Sequence, residues 1–194
     1  MMTNPTGILL AAGFSRRFGN NKLLQQLAND TPMLIASANN LCTALANCLA
    51  IVNPDMPLPM VKQLEQLGMQ VIVNQHAESG IGSSIACGIS ESEQSSGWVI
   101  ALADMPFIHA DTIRQLSTKL NDGAGIVAPL YQQQRGHPVG FAARYRDELL
   151  KLNADVGARH VIARHDTDLT LIEVQDRGVI SDIDSISDLR ATKL

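Results

Sequence analysis

The sequence predicts a three-layer α/β sandwich in one domain spanning 1–194, Rossmann-like in plan, with a mostly parallel central sheet. Short apolar runs alternate with helical patterns almost from end to end, the order expected when crossover helices join parallel strands. The clearest runs, Gly7 to Ala12 and Val99 to Leu102, carry no polar alternation, as suits strands covered on both faces. A chain of 194 residues is long enough to bury a real core without disulfide or metal staples, and no linker-like stretch divides it.

Strands are expected near 7–12, 48–53, 69–74, 97–102, 124–130, 136–142 and 168–174. Helices are expected near 32–46, 57–67, 83–94, 110–121, 144–152, 156–165 and 186–192. The first helix has an apolar stripe of Leu34, Ala38, Leu41, Cys42 and Leu45. Asn53-Pro54 ends the second strand. The third helix places Ile85 and Ile89 inward at i, i+4, with Ser83 as its expected cap. Ser90 to Gly97 reads as a solvated helix end. Pro106 stops the fourth strand. The stripe Ile113, Leu116 and Leu120 leads into Asn121-Asp122-Gly123, a helix stop.

Composition narrows the function classes. Apolar residues make up 45% and charged residues 18%, ordinary for a folded α/β protein and unlike a disordered chain. The net charge of −4 and the lack of a basic tract with interleaved aromatics argue against a nucleic-acid groove. Cys42, Cys48 and Cys87 are odd in number and widely spaced, unlike a metal knuckle or disulfide framework. The opening segment has no basic and apolar leader pattern, and no apolar run reaches membrane-spanning length. A cytoplasmic protein with no membrane partner is expected.

The most informative stretch runs from Leu9 to Lys22. An apolar strand feeds a loop bounded by Gly13 and Gly19, whose backbone amides can turn toward an anion. Arg16 and Arg17 can grip phosphate oxygens in bidentate fashion, and Lys22 adds a point charge. Such a loop suits a triphosphate. It is not a P-loop: five residues separate the glycines, and Lys22 is followed by Leu23. The dinucleotide fingerprint G-x-G-x-x-G is also absent from this turn.

Three later segments also follow predicted strands, where open parallel sheets collect ligands. In Gly80-Ile81-Gly82-Ser83-Ser84, the glycines allow close backbone approach to a flat ligand and the helix amides are expected to face it. His76 just before reads as a polar loop residue. Asp104, directly after a buried strand in Ala103-Asp104-Met105-Pro106, offers a hard oxygen suited to Mg2+. Arg135-Gly136-His137-Pro138 begins a strand with an imidazole and a rigid proline.

The string LLAAGFSRRFGNNKLL resembles the signature loop of nucleotidyltransferases that handle molybdenum cofactor, and Ala11-Ala12-Gly13 resembles the cytidylyltransferase branch. The resemblance implies a nucleotidyltransferase-type fold in which Leu10, Ala11, Ala12, Gly13, Ser15, Arg16, Arg17, Gly19 and Lys22 hold CTP. Gly80, Gly82, Ser83 and Ser84 would lie against base and ribose. Gly136, His137 and Pro138 resemble the motif bordering the pterin acceptor, and Arg159 lies in a segment similar to a further acceptor contact.

Asp104 would bind Mg2+ with a second carboxylate from Asp182 or Asp184, either of which could instead cap the final helix. The pair is expected to point to opposite faces of an extended backbone, leaving one to reach the metal. The implied reaction joins CMP from CTP to molybdopterin, with Arg16, Lys22 and Asp104 as the catalytic groups and no assigned base. A molybdoenzyme would receive the product. GTP or another phosphorylated acceptor is the nearest alternative, and a non-catalytic nucleotide-binding chaperone is the alternative of a different class.

Overall fold

The computed structural model describes residues 4–14, 22–154, 156–184 and 188. Its eight strands are β1 (Thr6–Ala11), β2 (Cys48–Val52), β3 (Gln70–Val73), β4 (Gly97–Leu102), β5 (Ile126–Tyr131), β6 (Gln134–Arg135), β7 (Val139–Ala142) and β8 (Leu169–Glu173). Its helices are α1 (Met33–Ala44), α2 (Leu58–Gln66), α3 (Ile81–Ser90), α4 (Ala110–Asn121), α5 (Arg146–Leu150) and α6 (Arg159–Arg164). The expected final helix over 186–192 lies outside the described residues except for Asp188.

One sheet runs β3-β2-β1-β4-β7-β5-β6, with β8 paired to β5. The β3, β2, β1 and β4 pairings are parallel, as is β5 with β8, whereas β7 is antiparallel to both β4 and β5. The expected strand at 136–142 begins only at Val139, as β7, and the short β6 at Gln134–Arg135 precedes it. Gly136-His137-Pro138 separates the two: the Gly136 amide still donates to Pro129, but that of His137 turns to Val179.

Strand periodicity divides the core between two layers. On one face, Leu9, Ala50, Val99, Ala101 and Val127 pack with Leu34, Ala38 and Leu41 of α1, Leu64 of α2 and Leu116 of α4. On the other, Ile8, Ile51, Trp98, Ile100, Ile126 and Phe141 pack with Ile85 and Ile89 of α3, Leu149 of α5 and Ile162 of α6. This is the three-layer plan expected from the alternation of apolar runs. Cys42, Cys48 and Cys87 are free thiols. Among the described residues, no helix is long and apolar enough to cross a membrane.

Two features of the topology build the site. Because β7 runs against β4, with Val139 opposite Ile100, the start of β7 lies beside the end of β4. His137 therefore meets the loop that carries Asp104. After β8, whose continuation is tied to Leu130 by the Val174 amide, the chain crosses back over the strand ends. The amides of His137 and Ile183 bind Val179 and Asp104 carbonyls respectively, so this strap spans from β5 to β4.

Candidate active site

The site is assembled from the ends of β1 and β4, the start of β7 and the 174–184 strap. β1 ends in Ala11 and Ala12, whose side chains are buried, and then Gly13, around which a Cβ would meet open space. Ala11 and Ala12 thus offer a ligand chiefly backbone, while the Leu10 side chain lines a neighboring cavity. The Leu10 carbonyl is already taken by the Ala103 amide, and that of Ala12 accepts from Asn53 Nδ2 at 3.3 Å. Ser15, Arg16, Arg17 and Gly19, the center of the expected phosphate loop, lie outside the described residues.

Lys22 is the decisive described cation. Its Nζ stands 2.9 Å from Asp104 Oδ2 and 2.7 Å from Asp184 Oδ1. Burial alone would pull the ammonium down, but hydrogen bonds to Asp184 and Asp104 outweigh it and leave its pKa raised. The bond from Lys22 holds the Asp184 carboxyl below the usual carboxylate range, against partial burial. Two carboxylates from distant segments therefore converge on one cation.

The second carboxylate comes with a correction. Asp182 and Asp184 are both exposed while Ile183 between them is buried. They share a face rather than opposing each other, because extended-chain side chains repeat every second residue. Both can approach the site.

The donor set suits a hard divalent ion: Asp104 and Asp184 oxygens already enclose a point occupied by an ammonium, and Asp182 is adjacent. Among the described residues, no cluster of three or more His, Cys, Asp or Glu side chains forms a ready-made metal site. Waters and substrate phosphates would complete the shell, the usual arrangement for Mg2+.

His137 is half-buried beside these acids. Burial pushes its imidazole below the ordinary histidine value; Asp104 and Asp182 pull it up, and Arg135 adds to the lowering. At neutral pH it is a hydrogen-bonding group rather than a charge. At Gly136 a Cβ would stand 2.3 Å from the Val179 carbonyl. Its missing side chain admits the strap. Pro138 is buried behind it, and the His137–Pro138 peptide is cis.

The Gly80–Ser84 segment is also reassigned in part. Gly80 takes φ +101° at the start of α3, a backbone that favors glycine. The Gly82 amide, expected to face a ligand, instead donates to the Ala154 carbonyl, and a Cβ there would press on Asn153 and Val156 backbone at 2.7 Å. Gly82 therefore docks the chain that leads to Arg159. Ser83 is not the helix cap: α3 begins at Ile81, and the Ser83 hydroxyl donates back to the His76 or Gly80 carbonyl. Asn74 Nδ2 bonds both Ser83 and buried Ser84.

Four positioning residues escaped sequence reasoning. Asn53 and Asn74 follow β2 and β3 directly, and each ties a neighboring loop to its strand end. On α1, Ser37 donates to the Ala103 carbonyl at 2.8 Å and Asn40 to that of Pro106 at 2.9 Å, gripping the Asp104 loop from both sides. Ser37 interrupts the buried Leu34, Ala38, Leu41 stripe, and a polar residue there was the available signal. The strap is anchored likewise: buried Asp176 accepts from the His109 amide, the Thr112 hydroxyl and the Gly178 amide.

With this geometry in view, the sequence matches the model of the MobA-like NTP transferase domain over residues 7–169. The chain belongs to that family. The domain covers every described part of the site except the strap that supplies Asp182 and Asp184. Within and around the family, the chain is 27% identical to the purine catabolism protein PucB of Bacillus subtilis (strain 168), across 92% of this chain and 91% of that one. It is 25% identical to nicotine blue oxidoreductase of Paenarthrobacter nicotinovorans, across 95% and 94%. Rv0371c of Mycobacterium tuberculosis H37Rv has the same fold, with a TM-score of 0.83 at 23% identity over 99% of this chain and 98% of that one. Rv0371c has also been solved in complex with manganese, where the match has a TM-score of 0.78 at 22% identity over 98% of each chain.

Proposed function

We propose that this chain transfers CMP from CTP to the terminal phosphate of molybdopterin, forming molybdopterin cytosine dinucleotide and pyrophosphate with Mg2+. The observation that carries this reading is the meeting of Lys22, Asp104 and Asp184 at the strand ends, beside His137. A family of NTP transferases needs such a group to neutralise a triphosphate, and the two curated relatives bear different names. The nucleotide and acceptor are therefore read from this chain's own residues: Ala11-Ala12-Gly13 for cytidine, and Gly136-His137-Pro138 with Arg159 for the pterin side.

An oxygen of the acceptor phosphate attacks the α-phosphorus of CTP. The bond from that phosphorus to the oxygen bridging to the β-phosphorus breaks, and pyrophosphate leaves with the electron pair. Asp104 with Asp184 or Asp182 would hold Mg2+, which would supply charge neutralisation and alignment of phosphate oxygens. Lys22, once its carboxylates are engaged elsewhere, turns its charge to the leaving pyrophosphate together with Arg16. Arg17, Ser15 and Gly19 complete the triphosphate loop, and Gly80 to Ser84 border the base. Neutral His137 orients the acceptor by hydrogen bonding. The acceptor phosphate is already largely ionised at neutral pH, so no general base is assigned. Catalysis by alignment and electrostatics suffices for this class of transfer.

Three free thiols accord with a cytoplasmic setting, where a molybdoenzyme would receive the product. The test is pyrophosphate release with molybdopterin and a panel of nucleotides, with the product identified by mass. Turnover with CTP and little with GTP is expected; turnover with GTP alone overturns the cytidine assignment. Asp104→Asn is expected to lower product formation by about two orders of magnitude or more while the fold is kept. A variant that retained full function in molybdoenzyme maturation would instead mark a carrier.

A further inference from the structure

The three free thiols have unequal surroundings. Cys42 lies in the last turn of α1 and is partly exposed, while Cys48 opens β2 and is buried. Both pack against the same core layer, and their side chains are joined by a hydrogen bond across the turn that links helix to strand. The Cys48 thiol also reaches the carbonyl of Leu45, in that turn, at 3.5 Å. Cys87 stands apart, on α3 and the opposite face of the sheet.

The pair is not sealed in the core. A cavity of about 670 Å³ lies where the parallel strands begin, and its wall includes Thr6, Asn47, Cys48, Gln70 and Ser95. Those residues start or precede β1, β2, β3 and β4, so this cavity is at the edge of the sheet away from Asp104. Cys48 thus forms part of an open wall, and Cys42 meets solvent from α1.

The two sulfurs also differ in character. The hydrogen bond from Cys48 pulls the Cys42 thiol below its ordinary value against burial, whereas the same bond, reinforced by burial, pushes Cys48 well above it. Cys42 is the thiolate of the pair and Cys48 its donor. Burial, and after it the Glu91 charge, push the Cys87 thiol up. Since the thiolate is the nucleophile in disulfide exchange, only Cys42 is equipped to attack.

We propose that Cys42 and Cys48 form a redox-active dithiol that a low-molecular-weight disulfide oxidises to an intrachain disulfide, Cys42 attacking and Cys48 resolving. The Cys42 thiolate attacks one sulfur of the small disulfide, whose S–S bond breaks and releases one small thiolate. Cys42 is then held in a mixed disulfide and carries no charge, which removes the main cause that keeps Cys48 protonated. Cys48 loses its proton and attacks the Cys42 sulfur; the mixed bond breaks and the second small thiolate leaves. Two protein thiols are oxidised, one small disulfide is reduced to two thiols, and the two protons pass to them. The new bond ties the end of α1 to the start of β2, and α1 is the helix whose Ser37 and Asn40 hold the Asp104 loop. Where thiols are kept reduced, a disulfide of this kind is transient and serves redox sensing.

The test uses the full chain, reduced and then incubated with excess glutathione disulfide, quenched in acid, alkylated under denaturing conditions and cut with trypsin. Cleavage after Lys22, Lys62 and Arg114 leaves Cys42 and Cys48 together in peptide 23–62 and Cys87 in peptide 63–114. Peptide 23–62 is expected to be lighter by two hydrogen atoms and free of alkyl groups, and dithiothreitol should restore both of its thiols. Peptide 63–114 should stay alkylated. Cys48→Ser should instead trap glutathione on Cys42, and Cys42→Ser should take up glutathione at Cys48 about tenfold more slowly or less. On the unsubstituted native chain near neutral pH, iodoacetamide should label Cys42 about tenfold faster than Cys87. Peptide 23–62 left fully alkylated, disulfides between chains in place of the intrachain bond, or Cys87 reacting as fast as Cys42 overturns the proposal. Faster glutathione uptake at Cys48 than at Cys42 overturns the order of attack.

Discussion

Lys22 carries the most specific consequence. Its ammonium holds the point between Asp104 and Asp184 where a divalent ion would sit, so the two cations compete for the same oxygens. Removing the lysine charge should help a metal bind alone and harm its use in turnover. Lys22→Gln is expected to tighten Mn2+ binding about tenfold in the absence of nucleotide, as read by electron paramagnetic resonance of free Mn2+. The same variant should lose about a hundredfold or more in CTP turnover. Unchanged Mn2+ affinity would show that the lysine and the metal do not share a position. In the proposed reaction His137 contributes differently: burial pushes its imidazole below the ordinary histidine value, which favors hydrogen bonding over charge.

Between elements, polar side chains at the ends of strands and on buried helix faces join what hydrophobic packing only brings near. Ser37 and Asn40 bind α1 to the Asp104 loop, and Asp176 binds the strap to the start of α4. A second joint holds the far side of the sheet. Asp168, just before β8, accepts from the Tyr145 hydroxyl and from Arg144. Those hydrogen bonds, Tyr145 first, depress its pKa below the ordinary value of 3.8. As pH falls, the unfolded chain takes up its proton before the folded one, so the contribution is full above the ordinary value and lost through the depressed one. Thermal melts should therefore show a steeper loss of Tm below about pH 4 for the native chain than for Asp168→Asn. Parallel curves would deny the joint any pH-linked role.

Taken together, the fold brings the end of β1, Lys22, Asp104, His137 and residues 182–184 to one edge of the sheet. A site assembled from distant segments exists only in the folded chain, so ligand binding and folding should be linked. Nucleotide with Mg2+ at about a hundredfold over its Kd should stabilise the folded state by about 2.7 kcal/mol. For a chain of this length that is a rise of roughly 5–10 °C in Tm. A shift with CTP but only a small one with GTP is expected, and Asp104→Asn should reduce the CTP shift. Equal shifts from both nucleotides would remove the base preference.

Much of this was legible before any coordinates. Apolar runs without alternation specify buried strands, helical stripes specify their cover, and an acid directly after such a strand lies at the ligand-binding edge. Hence Lys22, Asp104, His137 and the Asp182–Asp184 pair stand out from local pattern, whereas the expectation that the last two oppose each other fails, because both are exposed on either side of buried Ile183. What the pattern could not express is which distant groups meet. That Lys22 bridges Asp104 to Asp184, that Gly82 and Gly136 admit neighboring backbone, and that Arg135 and Arg159 line one cavity all depend on the antiparallel turn of β7 and the path of the strap. Those are long-range packing outcomes. A glycine reads alike in sequence whether a phosphate or a carbonyl fills the space beside it, and only the folded chain says which.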